Sequence, residues 1–239
     1  SITVNNVAPT IALTGADSVN EGSVYTLSLA ALVDPGTDTP IAYSIDWGDG
    51  TVQNFTPAEY TALAGSAQHT YADGSLGGTA RTIQVSVTDE DGSFVAGTKS
   101  ITVNNVAPSV VLTGDTNTLE GATYTLNLAG SDPAGANDTL SYSIDWGDGS
   151  AAQVLSAAQL ATLSGNVTHV FADDEDGPVN ATARSIQVTV SDEDGGSRLA
   201  ARGVGLRDVP EGVRTDGQHA AALGGDVQRG CRRVGAGRV

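Results

Sequence analysis

Along the chain, short stretches in which apolar and polar residues alternate are separated by clusters of Gly, Asp, Asn and Pro. This is the period-two pattern of half-buried strands bounded by turns. Tyr25, Leu27 and Leu29 alternate with Thr26 and Ser28; Ile41, Tyr43, Ile45 and Trp47 with Ala42, Ser44 and Asp46; Ile83, Val85 and Val87 with Gln84, Ser86 and Thr88. Ile11 and Leu13 mark a short leading strand, Thr51 to Phe55 returns from the Gly48-Asp49-Gly50 turn, His69-Thr70-Tyr71 follows, and Phe94 to Val103 closes the series. One segment breaks the alternation. Thr56-Pro57-Ala58-Glu59 carries a cap, a proline where no amide is missed, and a glutamate that reaches back to the cap. It predicts a helix of about two turns that ends at Gly65. Seven short antiparallel strands with a tryptophan on the third predict an all-β immunoglobulin-like sandwich with a short inserted helix, and Trp47 belongs in its core.

The pattern then repeats. Ile2-Thr-Val-Asn-Asn-Val-Ala-Pro9 recurs as Ile101-Thr-Val-Asn-Asn-Val-Ala-Pro108, and Glu21-Gly22, Tyr25, Leu27 and Trp47 recur as Glu120-Gly121, Tyr124, Leu126 and Trp146, all 99 positions later. The inserted helix is respelled Ser156-Ala-Ala-Gln159, with Gly165 in place of Gly65. A unit of about 100 residues can enclose its own core, unlike the 20 to 50 residues of a solenoid repeat. The organisation expected is tandem sandwiches over residues 8–106 and 107–197. Residues 1–7 read as the last strand of a preceding unit, so the chain reads as a fragment of a longer array. After Ser197 the likeness stops. Residues 198–239 hold eight of the eleven basic side chains against four acids, and the strand periodicity is lost. They read as a disordered or frame-shifted Gly/Ala/Arg-rich tail. Unit two is then expected to lack its last strand, and to be the weaker unit, unless Val204 and Leu206 substitute for Ile101 and Val103.

Tyr43-Ser-Ile-Asp-Trp-Gly-Asp-Gly-Thr51 followed by His69-Thr-Tyr71 resembles the polycystic-kidney-disease (PKD) repeat, whose signature is an aromatic-Asp-Phe-Gly-Asp-Gly run and a later His-Thr-Tyr. The resemblance covers both units. Trp47 and Trp146 stand where that family often has Phe, and Val170-Phe171 departs from Thr-Tyr. It implies an extracellular or cell-surface module for adhesion or spacing, without catalysis, whose partner is a protein or carbohydrate of a surface or matrix. An alternative within the same resemblance is an accessory binding region of a larger secreted hydrolase.

Composition narrows the partners. Residues 1–197 carry three basic against 24 acidic side chains, a net of −21 within a chain of −17. Such a surface repels nucleic acid, whose phosphates demand Lys and Arg, and attracts cations. No run approaches the roughly 18 apolar residues of a membrane span. The single cysteine, Cys231, leaves the repeats without disulfides or thiolate metal sites.

Asp46 and Asp49 could serve as paired carboxylates for acid–base chemistry, but the hairpin itself asks for Asp at those places. His69 and His169 precede an aromatic on a strand, which favours packing or loop-tying over metal ligation. A stronger grouping follows from strand direction. The loop before Tyr25, the Gly-Asp-Gly turn and the end of the last strand share the trailing pole of a unit, and the loop leading into the third strand and the last hairpin share its leading pole. The junction is therefore expected to gather Glu21 and Asp49 of unit one, Asn104 and Asn105 of the linker, and Asp132, Asp138, Asp192 and Asp194 of unit two. Crowded carboxylates repel, and Ca²⁺, which takes six to eight oxygens, would relieve them and stiffen the array.

Overall fold

A computed structural model of the chain describes residues 1–3, 5–36, 38–172 and 182–207. Unit one contains β1 (Leu13–Thr14), β2 (Ser18–Asn20), β3 (Val24–Leu29), β4 (Ala42–Asp46), β5 (Val52–Phe55), α1 (Pro57–Ala62), β6 (Ser66–Thr70), β7 (Thr79–Thr88) and β8 (Ser93–Asn104). Unit two repeats the order with β9 (Ser109–Gly114), β10 (Asn117–Leu119), β11 (Thr123–Ser131), β12 (Ser141–Asp145), β13 (Gln153–Ser156), α2 (Ala157–Thr162), β14 (Asn166–Val170), β15 (Thr182–Ser191) and β16 (Ser197–Arg207). In each unit a three-stranded sheet, β1-β3-β6 or β9-β11-β14, faces a five-stranded one, β2-β8-β7-β4-β5 or β10-β16-β15-β12-β13. The chain is thus two immunoglobulin-like β-sandwiches in tandem.

The alternation read from the sequence sets which side chains meet between the sheets. Tyr25, Leu27, Ile45, Trp47, Ile83, Val85, Ile101 and Val103 form one core; Tyr124, Leu126, Ile144, Trp146, Ile186, Val188, Val204 and Leu206 form a second, separate one. Ile41, just before β4, is the exception at 58% exposed. Both helices carry the expected capping boxes, Thr56 with Glu59 and Ser156 with Gln159. Tyr60 of α1 stacks on Tyr43 at 3.9 Å between ring centroids, and Leu160 is the buried residue of α2.

Two expectations are corrected. Among the described residues each unit has eight strands, not seven, and the sheets are not wholly antiparallel: β2 and β10 run parallel to β8 and β16. Three residues with Val19 as the half-buried member are too short to show a period. The second correction concerns the boundary at 197. β16 runs on to Arg207 and pairs with β15 from Ser191↔Ser197 to Thr182↔Leu206. Val204 and Leu206, two apart and therefore on one face, are buried where Ile101 and Val103 lie in unit one. Arg202 reaches the Gly114 carbonyl and the Tyr124 hydroxyl, at the position where Lys99 meets Asp17 in unit one. Backbone pairing needs no particular side chain, so two inward apolar residues suffice to close the sandwich. Unit two is not open-edged. The rest of the expected tail, residues 208–239, and the acidic run at 173–177 lie outside the described residues.

Candidate metal centre

The Trp-Gly-Asp-Gly turn is built the same way twice. Asp46 and Asp145 accept from the amides of Gly48 and Gly147, and Asp49 and Asp148 from those of Thr51 and Ser150, at 2.8–3.0 Å. Gly48 sits at φ +78°, and a Cβ there would come within 2.6 Å of the Thr82 carbonyl oxygen, so no other residue fits. The remaining oxygen of Asp49 meets Nε2 of His69 at 2.7 Å, and Asp148 meets His169 at the same distance. An ionised carboxylate only accepts, so Nε2 carries the proton. Each imidazole lies flat on its tryptophan, with centroids 4.9 and 4.6 Å apart. These histidines tie the turn to strands β6 and β14. Burial raises the carboxyl of Asp148, but the Ser150 and His169 hydrogen bonds outweigh it and hold the group down at about 2.

The junction is different in kind. Glu21, fully buried, accepts from the Val106 amide of the linker at 2.6 Å and from the Gly74 amide at 2.7 Å. Gly22 beside it packs on unit two, since a Cβ there would lie 2.5 Å from the Pro133 carbonyl oxygen. Across the boundary Glu21 meets Asp132 and Asp138, with one ligand atom from each of the three within 4.8 Å of the others. Asp132 spends one oxygen on the Ala134 amide, and its other oxygen has no partner. Asp138 is 4% exposed, and neither of its oxygens has a hydrogen-bond partner. Asp138 also belongs to a second group, with Asp73 of unit one and Asp194 of unit two.

Electrostatics register the crowding. Burial, the contact with Asp132 and the charges of Asp132, Glu21 and Glu193 push Asp138 up to about 7. Burial also raises Glu21, the amides of Val106 and Gly74 acting against it and the charge of Asp132 with it. Asp194 is raised by its partial burial and by Asp73. A buried carboxylate with no donor is costly. Either a proton shared with Asp132 or a cation must offset the charge.

Of the residues the sequence assigned to the junction, the structure brings together Glu21, Asp132, Asp138 and Asp194. Asn105 donates to Asp192 at 3.3 Å and keeps a buried oxygen without a partner. Asn104 donates to Asn20, and its carbonyl accepts from the Glu21 amide, so it anchors the exit of β8. Asp49 does not join the group: its carboxylate is taken by His69 and Thr51. The residue missed is Asp73, in the loop between β6 and β7. Strand direction puts the β6–β7 loop at the trailing pole, the same pole as Glu21. A third group, Asp34, Asp38 and Asp89, occupies the leading pole of unit one, in the loops that carry Asp132, Asp138 and Asp192 in unit two.

No family model matches the chain, and no curated protein matches it. Among solved structures it is similar to a carbohydrate-binding module of the β-sandwich superfamily, at 13% identity and TM-score 0.33 over 86% of this chain and 99% of that one. It is also similar to extracellular domains 3–5 of Drosophila OTK, at 12% identity and TM-score 0.31 over 84% of this chain and 62% of that one. Likenesses this distant bear on neither ligand nor role.

Proposed function

We propose that the chain is a non-enzymatic, extracellular tandem module of PKD type, serving spacing and adhesion, whose junction is stiffened by calcium. One observation carries the cation: Asp138 is buried at the boundary between the units with both oxygens unpartnered, against Glu21 and Asp132. The ligands come from both units, so a bound ion would resist their separation. Calcium suits the set better than magnesium, because it accepts many oxygens in flexible geometry where magnesium demands a near-ideal octahedron. All the aromatic rings, two Trp, six Tyr and three Phe, are buried or half-buried. A sugar stacks its C–H face on an open ring, so the partner proposed is a protein surface.

Thermal unfolding in millimolar calcium, in chelator and in magnesium tests the reading. At a hundredfold excess over the dissociation constant a single site adds about 2.7 kcal/mol, a rise in Tm of several degrees that magnesium reproduces poorly. Equal Tm in calcium and chelator would refute the calcium junction and leave a passive spacer.

A further inference from the structure

We propose that the junction holds two divalent cations, with Asp138 as the bridge and Asp73 as a ligand of the second. This rests on the reading that the junction binds calcium, and it assigns the number of ions and a ligand.

The first position lies among Glu21, Asp132 and Asp138, and the second among Asp73, Asp138 and Asp194. Asp138 is common to both. A carboxylate whose two oxygens are both unpartnered can give one to each ion, and such bridges set ions roughly 3.5 to 4 Å apart in two-metal sites. Its burial matters here: at 4% exposed, water has little access to either oxygen. Asp138 therefore lacks hydration that the exposed Asp73 retains.

Charge decides between one ion and two. Glu21, Asp73, Asp132, Asp138 and Asp194 bring five negative charges to the two groups. One divalent ion leaves three of them uncompensated around a buried carboxylate, and two ions leave one. Ordinary carboxylates at these separations repel in proportion to how dry the site is. A lone ion in the first position would also leave Asp73 and Asp194 facing each other across the boundary with nothing between them. The second ion links unit one's β6–β7 loop to unit two's last hairpin, whereas the first links the Glu21-Gly22 turn to the β11–β12 loop. Together the two ions would tie two loops of unit one to unit two instead of one.

The test is calcium bound per full chain at saturation, by equilibrium dialysis, for the wild type and for Asp73→Asn, Asp132→Asn and Asp138→Asn. Differences from wild type cancel any ion held elsewhere, such as at Asp34, Asp38 and Asp89. Asp138→Asn is expected to lose two equivalents, and Asp73→Asn and Asp132→Asn one each. Asp73 is exposed, so its variant folds even if Asp138→Asn does not, and far-UV circular dichroism checks both. Loss of one equivalent in Asp138→Asn with none lost in Asp73→Asn overturns the second ion and leaves the calcium junction standing. Identical binding in all four proteins overturns both readings.

Discussion

Tyr71 and Phe171 occupy one position in the two units and differ by one oxygen. The Tyr71 hydroxyl donates to the Trp47 carbonyl at 3.0 Å in a fully buried setting, and Phe171 fills the same space without that bond. Tyr71→Phe is therefore expected to cost unit one about 1 kcal/mol, read as a shift in its denaturant midpoint. Phe171→Tyr puts a hydroxyl where Tyr71 carries the one that bonds the Trp47 carbonyl, and should move unit two the other way. A second residue-scale prediction concerns acid. Asp148 is held at about 2, below an unfolded value of roughly 4. A depressed carboxyl contributes stability that is whole above the unfolded value and is lost as pH falls through the folded one. Unit two should weaken between about pH 4 and pH 2, and Asp148→Asn should flatten that part of its acid limb. An unchanged limb in the variant would show that other carboxyls carry it.

Among the elements, strands with strict alternation were legible, because burial on one face is what alternation records. Both helices were legible for a different reason: the capping box is a local device whose two hydrogen bonds form within four residues. The short β2 and β10 were not, since three residues that hydrogen-bond a distant strand leave no local trace. β16 was hidden by composition. Arg198, Arg202 and Arg207 made the segment resemble the basic tail, while the two residues that matter, Val204 and Leu206, are spaced as a strand requires. Each contributes about 1.5 to 3 kcal/mol on burial, a large share of the 5 to 15 kcal/mol typical of a domain. A chain ending at residue 197 should therefore show one cooperative transition by calorimetry, and a chain ending at residue 207 should show two. Two transitions in the shorter chain would mean that β16 is dispensable.

At the scale of the whole molecule, the candidate centre belongs to neither unit alone. Strand direction was enough to bring Glu21, Asp132, Asp138 and Asp194 to one place. It could not tell that Asp49 would turn to His69, because that depends on side-chain geometry within the turn. Nor does sequence pattern report that Asp138 is buried without a donor, and from this follows a pH dependence with two opposite signs. In chelator Asp138 has a raised carboxyl, so its protonated form is favoured in the folded chain. Folding then binds a proton, and stability should fall as pH rises from roughly 4 through about 7. Calcium needs the ionised form, so the proton competes with the ion. Across the same window calcium affinity should rise with pH, and the gain in Tm between chelator and calcium should be larger at about pH 8 than at about pH 5. Magnesium at equal concentration should produce a smaller gain at both. Asp138→Asn removes the proton and the ligand together, so it should abolish both the fall in chelator and the gain in calcium. If the gain is the same at both pH values in the wild type, calcium acts somewhere other than on this carboxylate, and the units are held by direct contacts such as Gly22 against Pro133, the Glu21 hydrogen bonds and the Asn137 amide on the Ala72 carbonyl.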